Sequence, residues 1–210
     1  MKKPYVIVVA HQKGGVGKST VAANLAVELS KKTNLQVVDL DTQRSLSYFN
    51  SLRNNSGLKS FNIMTVDSSE ELKKLINSNE ETLLVDVGGF DSDMNRIAML
   101  GADLIITPVS DSGVELVGLL AFRNILREIR KHRPELVANV LLNRIHPSAT
   151  TSLDNINSFI SDNCEFDKLK SILRDRVEYK HAFDAGKSVV ELKGKAAKEM
   201  QELTKEIING

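Results

Sequence analysis

The stretch QKGGVGKST, residues 12–20, decides how the rest of this chain is read. It follows a short apolar run, Tyr5–Ala10, and opens a helix-length segment, Lys18–Lys32. Glycines accept backbone angles that other residues avoid, so a glycine-rich turn between strand and helix can aim successive N–H groups into one concavity. The helix that follows adds its positive end. The pattern predicts a phosphate loop made by Gly14, Gly15, Val16, Gly17, Lys18, Ser19 and Thr20, with Lys18 at the β- and γ-phosphates and the Ser19 hydroxyl on Mg²⁺. The common form GxxxxGK[ST] does not fit, because Gln12 stands where its first glycine belongs. What fits is KGGxGK[ST], which adds a second lysine, Lys13.

Outward from the loop, β-rich runs alternate with amphipathic segments. Tyr5–Ala10, Leu35–Leu40, Phe61–Val66, Thr82–Val87, Asp103–Val109 and Leu136–Leu142 read as strands, and their continuous apolar character suits parallel strands covered on both faces. Helices are expected at Lys18–Lys32, Glu70–Asn77, Asp93–Leu100, Val114–Arg130, Ser152–Asp162 and Leu192–Ile208, with Ser68 and Glu71 as a capping box for the second. This alternation predicts an α/β fold, a doubly wound and mostly parallel sheet flanked by helices, in one domain over residues 1–210. Ligands of such sheets bind beyond the carboxyl ends of the strands.

Composition sets limits on function. The 210 residues are 41 % apolar and 26 % charged, ordinary for a globular protein, and no apolar tract is long enough to span a bilayer. The opening MKKPYVIVVA is too short in its apolar part for a secretion signal and has no small-residue cleavage site, so a cytoplasmic protein is expected. One cysteine, Cys164, excludes an internal disulfide and cysteine-built metal cages. The net charge of +1 does not advertise nucleic acid, so DNA binding would need a local patch or an assembly that gathers patches.

Three strand ends carry candidate site residues. Asp39 and Asp41 alternate at the end of the second strand and so share a face there. Asp86 ends the fourth strand ahead of Gly88 and Gly89, where P-loop nucleotidases hold Mg²⁺ with a carboxylate. Asn143 ends the strand Leu136–Leu142, and its amide suits either an adenine contact or a buried structural bond.

Together these features resemble the ParA/MinD family of P-loop ATPases with a deviant Walker A motif, most nearly its short plasmid-type members. VVDLDTQRSLSYF (37–49) resembles the second signature of that family, LLVDVGGFDSD (83–93) its Walker B region, ADLIITPVSDS (102–112) its next strand and loop, VLLNRI (140–145) its base-recognition strand, and AGKSVVEL (185–192) its C-terminal stretch. The usual proline after the second aspartate is Thr42 here, and many relatives have prolines at Gly88 and Gly89. The resemblance implies the P-loop NTPase fold, ATP with Mg²⁺, and hydrolysis to ADP and phosphate. It implies that Lys13 reaches the phosphates of a facing subunit, so that dimerisation depends on ATP, and that Asp41 orients the attacking water and stands with Ser19 and Asp86 as a Mg²⁺ candidate. Asp39 becomes a candidate to hold Mg²⁺ or Lys18. Adenine, rather than guanine, is selected by the resemblance alone.

Within that group, paired-cysteine iron proteins, CxxC-bearing arsenite and tail-anchor ATPases, and tyrosine-tailed kinases do not match this chain. A membrane-binding tail does not match either, since Glu199, Glu202 and Glu206 balance the lysines of the last segment and no aromatic is there to insert. The start of the first strand at Tyr5 leaves no room for a DNA-reading extension before it. ParA-like partition of plasmid or chromosome DNA is thus the leading expectation: an ATP dimer on nonspecific nucleoid DNA, released when a ParB-like or adaptor partner stimulates hydrolysis. The DNA candidates are Arg123, Arg127 and Arg130, one face of a helix, and Lys193, Lys195 and Lys198. Cations at a helix C-terminus also suit the dipole, which is an ordinary account of the arginines. The alternatives are a MinD-like or other positioning ATPase for a non-DNA cargo, and a metabolic ATP-dependent synthetase on the same fold.

Overall fold

The computed structural model describes residues 5–149 and 151–209; the two lysines of the first four residues, residue 150 and residue 210 lie outside the described residues. In chain order the elements are β1 (Val6–Val9), α1 (Lys18–Leu29), β2 (Leu35–Asp39), α2 (Ser45–Asn55), β3 (Asn62–Met64), α3 (Ser69–Ser78), β4 (Thr82–Asp86), α4 (Asp93–Leu100), β5 (Leu104–Val109), α5 (Glu115–Arg130), β6 (Ala138–Ile145), α6 (Thr151–Ser161), β7 (Phe166–Arg174), α7 (Val177–Asp184), a 3₁₀ turn (Val189–Glu191) and α8 (Lys195–Asn209). The strands form one sheet in the order β3-β2-β4-β1-β5-β6-β7, parallel at every pairing. The expected doubly wound α/β architecture is present.

Alternation along each strand builds the two cores. On β1, Val6 and Val8 join α3, α4, α5 and α6 through residues such as Leu72, Met99, Phe122 and Ile156. Ile7 and Val9 point to the other face, where α1, α2, α7 and α8 contribute Leu25, Phe49, Ala182 and Leu203. Each of the large side chains among them, fully buried, contributes about 1.5–3 kcal/mol by leaving water, and Ala182 less. β1 lies at the switch of the winding, with β4 on one side and β5 on the other, so its carboxyl end faces the crevice between the two halves.

Three elements were not anticipated: α2, β7 and α7. Only Leu46, Phe49 and Arg53 of α2 are buried, so its apolar stripe is too thin to mark a helix in the sequence. β7 is an edge strand whose lysines Lys168 and Lys170 face solvent, which blunts the edge. Glu206 of α8 accepts the Lys170 and Ser171 N–H groups at 2.7 and 2.9 Å, and Glu199 accepts the Arg174 N–H at 3.1 Å and pairs with Arg176. The acids of the last helix therefore tie it to the sheet edge, while Met200, Leu203 and Ile207 are buried beneath it. Smaller differences have local causes. The 3₁₀ turn carries its own Ser188–Glu191 capping box, and Gly194 follows with a φ of 139°, so α8 starts at Lys195 rather than Leu192. Ser68 caps α3 as expected, but the Glu71 carboxylate accepts the N–H of Asp67 and not that of Ser68.

One buried cation joins α2 to the C-terminal half. Arg53 is 3 % exposed and donates to both carboxylate oxygens of Glu191, to Gly186 O and to Lys59 O, with its guanidinium against the rings of Phe49 and Phe61. Gly186 has a φ of 65°, and a Cβ there would meet the Arg53 backbone nitrogen at 2.5 Å. Arg53→Ala is expected to cost about 3 kcal/mol, because it strands Glu191 and the buried Gly186 carbonyl; urea unfolding of the two proteins measures it.

Candidate functional site

The phosphate loop takes the shape its glycines allow. Gly15 has a φ of 79° and Gly17 a φ of 95°. At Gly17 a Cβ would lie 2.5 Å from Asn143 Nδ2, so the position demands both a positive φ and no side chain. The same amide nitrogen donates to Val16 O at 2.8 Å, which clamps the loop from the end of β6. Of the two roles open to Asn143, the structural bond is thus in place, and its side chain is 6 % exposed. Helix α1 starts with no side-chain cap and no acid in its first turn, leaving its first N–H groups and its dipole to an anion.

Lys18 is 5 % exposed and donates to Lys13 O at 3.1 Å, bridging the loop to its own start. Burial lowers its pKa, against the pull of Asp86 and Asp41. Asp86 is 0 % exposed, and neither carboxylate oxygen has a hydrogen-bond partner. Burial pushes it up to about 7; the nearby Ser19 hydroxyl and Lys18 ammonium pull down, while Asp39 and Asp41 push the same way as burial. A buried, unpartnered carboxylate beside a lysine and a hydroxyl is costly in isolation. A hard divalent cation held jointly by Ser19, Asp86 and phosphate oxygens removes that cost, as Mg²⁺ sites of few protein ligands do. The residues present fit Mg²⁺ and a polyphosphate.

Two adjoining clefts have room for such a ligand. One, of about 600 Å³, is lined by the loop from Gly14 to Thr20, by Asp41 to Gln43, and by Gly89 and Phe90. The other, of about 220 Å³, runs from Gly17, Thr20 and Asn143 to Arg174, Arg176, Tyr179 and Phe183. Asn143 therefore sits in the wall where a base would lie next to phosphates in the first cleft. A Cβ on Gly89 would come within 3.0 Å of Gly14 N, so this glycine is what lets the end of β4 touch the loop.

The expected pairing of Asp39 and Asp41 is corrected by the backbone. β2 ends at Asp39, and Asp41 lies beyond it in a turn. Asp39 accepts the Asp41 N–H at 3.2 Å on one oxygen and the Ser47 N–H and hydroxyl at 2.8 and 2.7 Å on the other. These bonds hold the Asp39 carboxylate against the start of α2, with Oδ2 accepting twice and Oδ1 once. Asp41 is half-buried, lines the larger cleft and accepts the Gln43 N–H at 2.9 Å.

Lys13 does not enter that cleft. Its Nζ pairs with Glu115 Oε1 at 2.8 Å at the head of α5, on the far side of the loop. Its backbone N–H donates to His11 Nδ1 at 2.9 Å, and His11 is held neutral, its pKa lowered to about 3 by burial and by the charges of Lys18 and Lys13. His11, Glu115 and Arg144 were not singled out in the sequence. Arg144 has a φ of 57° and donates to Gly15 O at 3.2 Å, next to Asn143 and facing both clefts. Its only sequence signal is adjacency to Asn143.

The six basic DNA candidates fall into two sets. Arg123 donates to Asn163 Oδ1, Arg127 to Glu165 Oε1, and Arg130 to Leu136 O and Cys164 O. These bonds fasten α5 to the segments that lead into β6 and β7, a structural use for the patch. Lys193, Lys195 and Lys198 are exposed at the start of α8.

Comparison with known proteins agrees with this geometry. A family model described as the CobQ/CobB/MinD/ParA nucleotide binding domain matches residues 7–189. The Maintenance of carboxysome distribution protein A of Halothiobacillus neapolitanus is 24 % identical over 212 positions, covering 98 % of this chain and 97 % of that protein. Protein ParA of Rhizobium radiobacter is 26 % identical over 198 positions, covering 90 % and 87 %. Among solved structures, a plasmid partition protein from Borrelia burgdorferi bound to AMPPNP has a TM-score of 0.75 at 18 % identity, with 99 % of each chain covered.

Asp86→Asn removes a buried charge whose burial outweighs the pull of Ser19 and Lys18, and keeps the shape. At pH 8 the nucleotide-free variant is expected to be more stable than wild type by on the order of 2 kcal/mol in urea unfolding. The same variant loses the Mg²⁺ dependence of ATP binding, read by titrating a fluorescent ATP analogue with and without the metal.

Proposed function

The chain belongs to the CobQ/CobB/MinD/ParA nucleotide-binding family, and from that premise we propose that it is a ParA-type positioning ATPase that dimerises on ATP, rides on nonspecific DNA and lets go on hydrolysis. The observation that carries this reading is the divergence of the two loop lysines. Lys18 lies in the phosphate cleft of its own subunit, whereas Lys13 leaves the loop on the other side. A metabolic synthetase working alone has no use for a second lysine placed there; a facing subunit does, as a cation delivered in trans to developing phosphate charge.

In this reading the loop N–H groups and Lys18 hold the triphosphate, and Asn143 and Arg144 flank the base. Ser19 and Asp86 hold Mg²⁺, which neutralises phosphate charge when bound. Asp41, on the opposite wall, accepts a hydrogen bond from the attacking water and orients it toward the γ-phosphate. The exposed lysines Lys193, Lys195 and Lys198 meet DNA phosphates; a near-neutral monomer binds weakly, and pairing two subunits doubles the patch. The buried apolar face of α8 argues against a MinD-like use of this helix on membranes, and none of the described helices is long and apolar enough to cross one.

A second cargo is favoured by a specific similarity. The match to a carboxysome distribution protein spans nearly the full length of both chains, and the match to a ParA protein is comparable. The same switch serves either a DNA cargo through a ParB-like partner or a protein-bounded cargo through an adaptor; affinity capture of the ATP-bound protein from its own cells separates the two.

Lys13→Gln is expected to bind ATP as wild type does and to remain monomeric by light scattering at ATP concentrations that dimerise wild type. A full ATP-dependent dimer of this variant would sink the trans assignment. In a filter assay, DNA of arbitrary sequence is expected to be retained with ATP or a slowly hydrolysed analogue but not with ADP, and retention falls steeply with salt. Equal retention with both nucleotides contradicts the switch.

A further inference from the structure

Lys13 rests in a built receiver. Glu115, the first residue of α5, is 3 % exposed and holds the Lys13 ammonium on Oε1 at 2.8 Å; the Ser110 hydroxyl donates to the same oxygen at 3.1 Å, and Oε2 has no hydrogen-bond partner. One turn further along α5, Gly118 leaves room for the lysine stem: a Cβ there would lie 3.5 Å from Lys13 Cβ and 2.8 Å from the His11 ring. Beyond the pair opens a polar cleft of about 310 Å³, whose walls include Gly15, Asp111, Arg144 and Asp175. The lysine side chain is 36 % exposed and can swing into this space, while Glu115 is fixed in the wall.

The electrostatics make the contact conditional. An ammonium is out of place at a helix N-terminus, which carries positive partial charge, so the carboxylate is what keeps Lys13 there. Glu115 in turn would be left with one hydroxyl if the lysine departed, a costly state for a buried anion. The lysine therefore leaves only for an anion that outbids a carboxylate, and a triphosphate carries more charge in one place than a diphosphate.

We propose that Glu115 is the latch of the switch: it parks Lys13 on its own subunit until the triphosphate of a facing subunit draws the lysine off, and so sets the ATP concentration at which dimers form. The latch rests on the reading that Lys13 serves a partner's nucleotide. Nucleotide affects dimerisation through it by binding one arrangement of Lys13 better than the other, which is what any ligand-driven shift requires.

Light scattering across ATP and ADP concentrations tests this with wild type, Glu115→Gln and Lys13→Gln. Glu115→Gln keeps the shape and loses the charge; it is expected to dimerise at roughly tenfold lower ATP than wild type, the size of one charge-assisted bond, and to form some dimer with ADP. A Glu115→Gln curve that superimposes on wild type, or needs more ATP, overturns the latch while leaving the role of Lys13 intact. If wild type does not dimerise with ATP, or Lys13→Gln dimerises as wild type does, the underlying reading fails and the latch with it. Should circular dichroism show Glu115→Gln misfolded, Glu115→Asp withdraws the carboxylate by one methylene and takes its place, with the same expected direction and the same overturning result.

Discussion

The Asn143 amide hangs over the Gly17 backbone so closely that no side chain fits between them, and much of the molecule is arranged to hold that contact. It joins the end of β6 to the turn between β1 and α1. For the two to meet, β1 must lie centrally, with β5 between it and β6, and all three strands must end at the same edge of a parallel sheet. The contact fixes Val16 O and ties the turn to β6, so that the N–H groups of the loop and the head of α1 are aimed at one region. Preorganised donors of that kind are what make a phosphate site effective, since little reorganisation is left for the moment of binding.

Around this frame, charge is distributed by burial. Asp86 and Lys18 are both buried, and the carboxylate lacks hydrogen bonds. The site thus carries an electrostatic debt that a cation and a polyphosphate together relieve. Glu115 and Lys13 are the counterpart outside the cleft, an ion pair with one member buried and the other half-exposed. The loop therefore carries one buried lysine in the cleft and one half-exposed lysine on its other side. Arg53 shows the contrasting use of a buried cation: every bond it makes is internal, and it serves to unite α2 with the C-terminal segment.

Much of this was legible in the sequence because the relevant signals are local. QKGGVGKST needs only a strand before it and a helix after it, and the six apolar runs are parallel strands, mostly buried except β3 at the sheet edge. What was illegible depends on tertiary neighbours. β7 reads as charged and alternating because it is an edge, and α2 buries only three side chains. Asp39 and Asp41 share a strand-like spacing, but the strand ends at Asp39, and Ser47 donates twice to one oxygen of its carboxylate. Arg123, Arg127 and Arg130 fall on one helical face as expected, yet that face is sewn to Asn163, Glu165 and Cys164, which no periodicity could show. Glu115 was hidden for the same reason, being far from Lys13 in the chain and adjacent to it in the fold.

The central claim is that Lys13 completes a site on another subunit. Mixing two crippled chains, Lys13→Gln and Asp41→Ala, tests it most directly by ATP hydrolysis. In a mixed dimer the Lys13→Gln subunit keeps its own Asp41 and receives Lys13 from its partner, so one site of two is whole. Each mixed dimer that forms is then expected to hydrolyse ATP at roughly half the rate of a wild-type dimer, although each chain alone is inactive. Mixed dimers that form but hydrolyse no faster than the separate chains would place Lys13 on its own nucleotide and contradict the account.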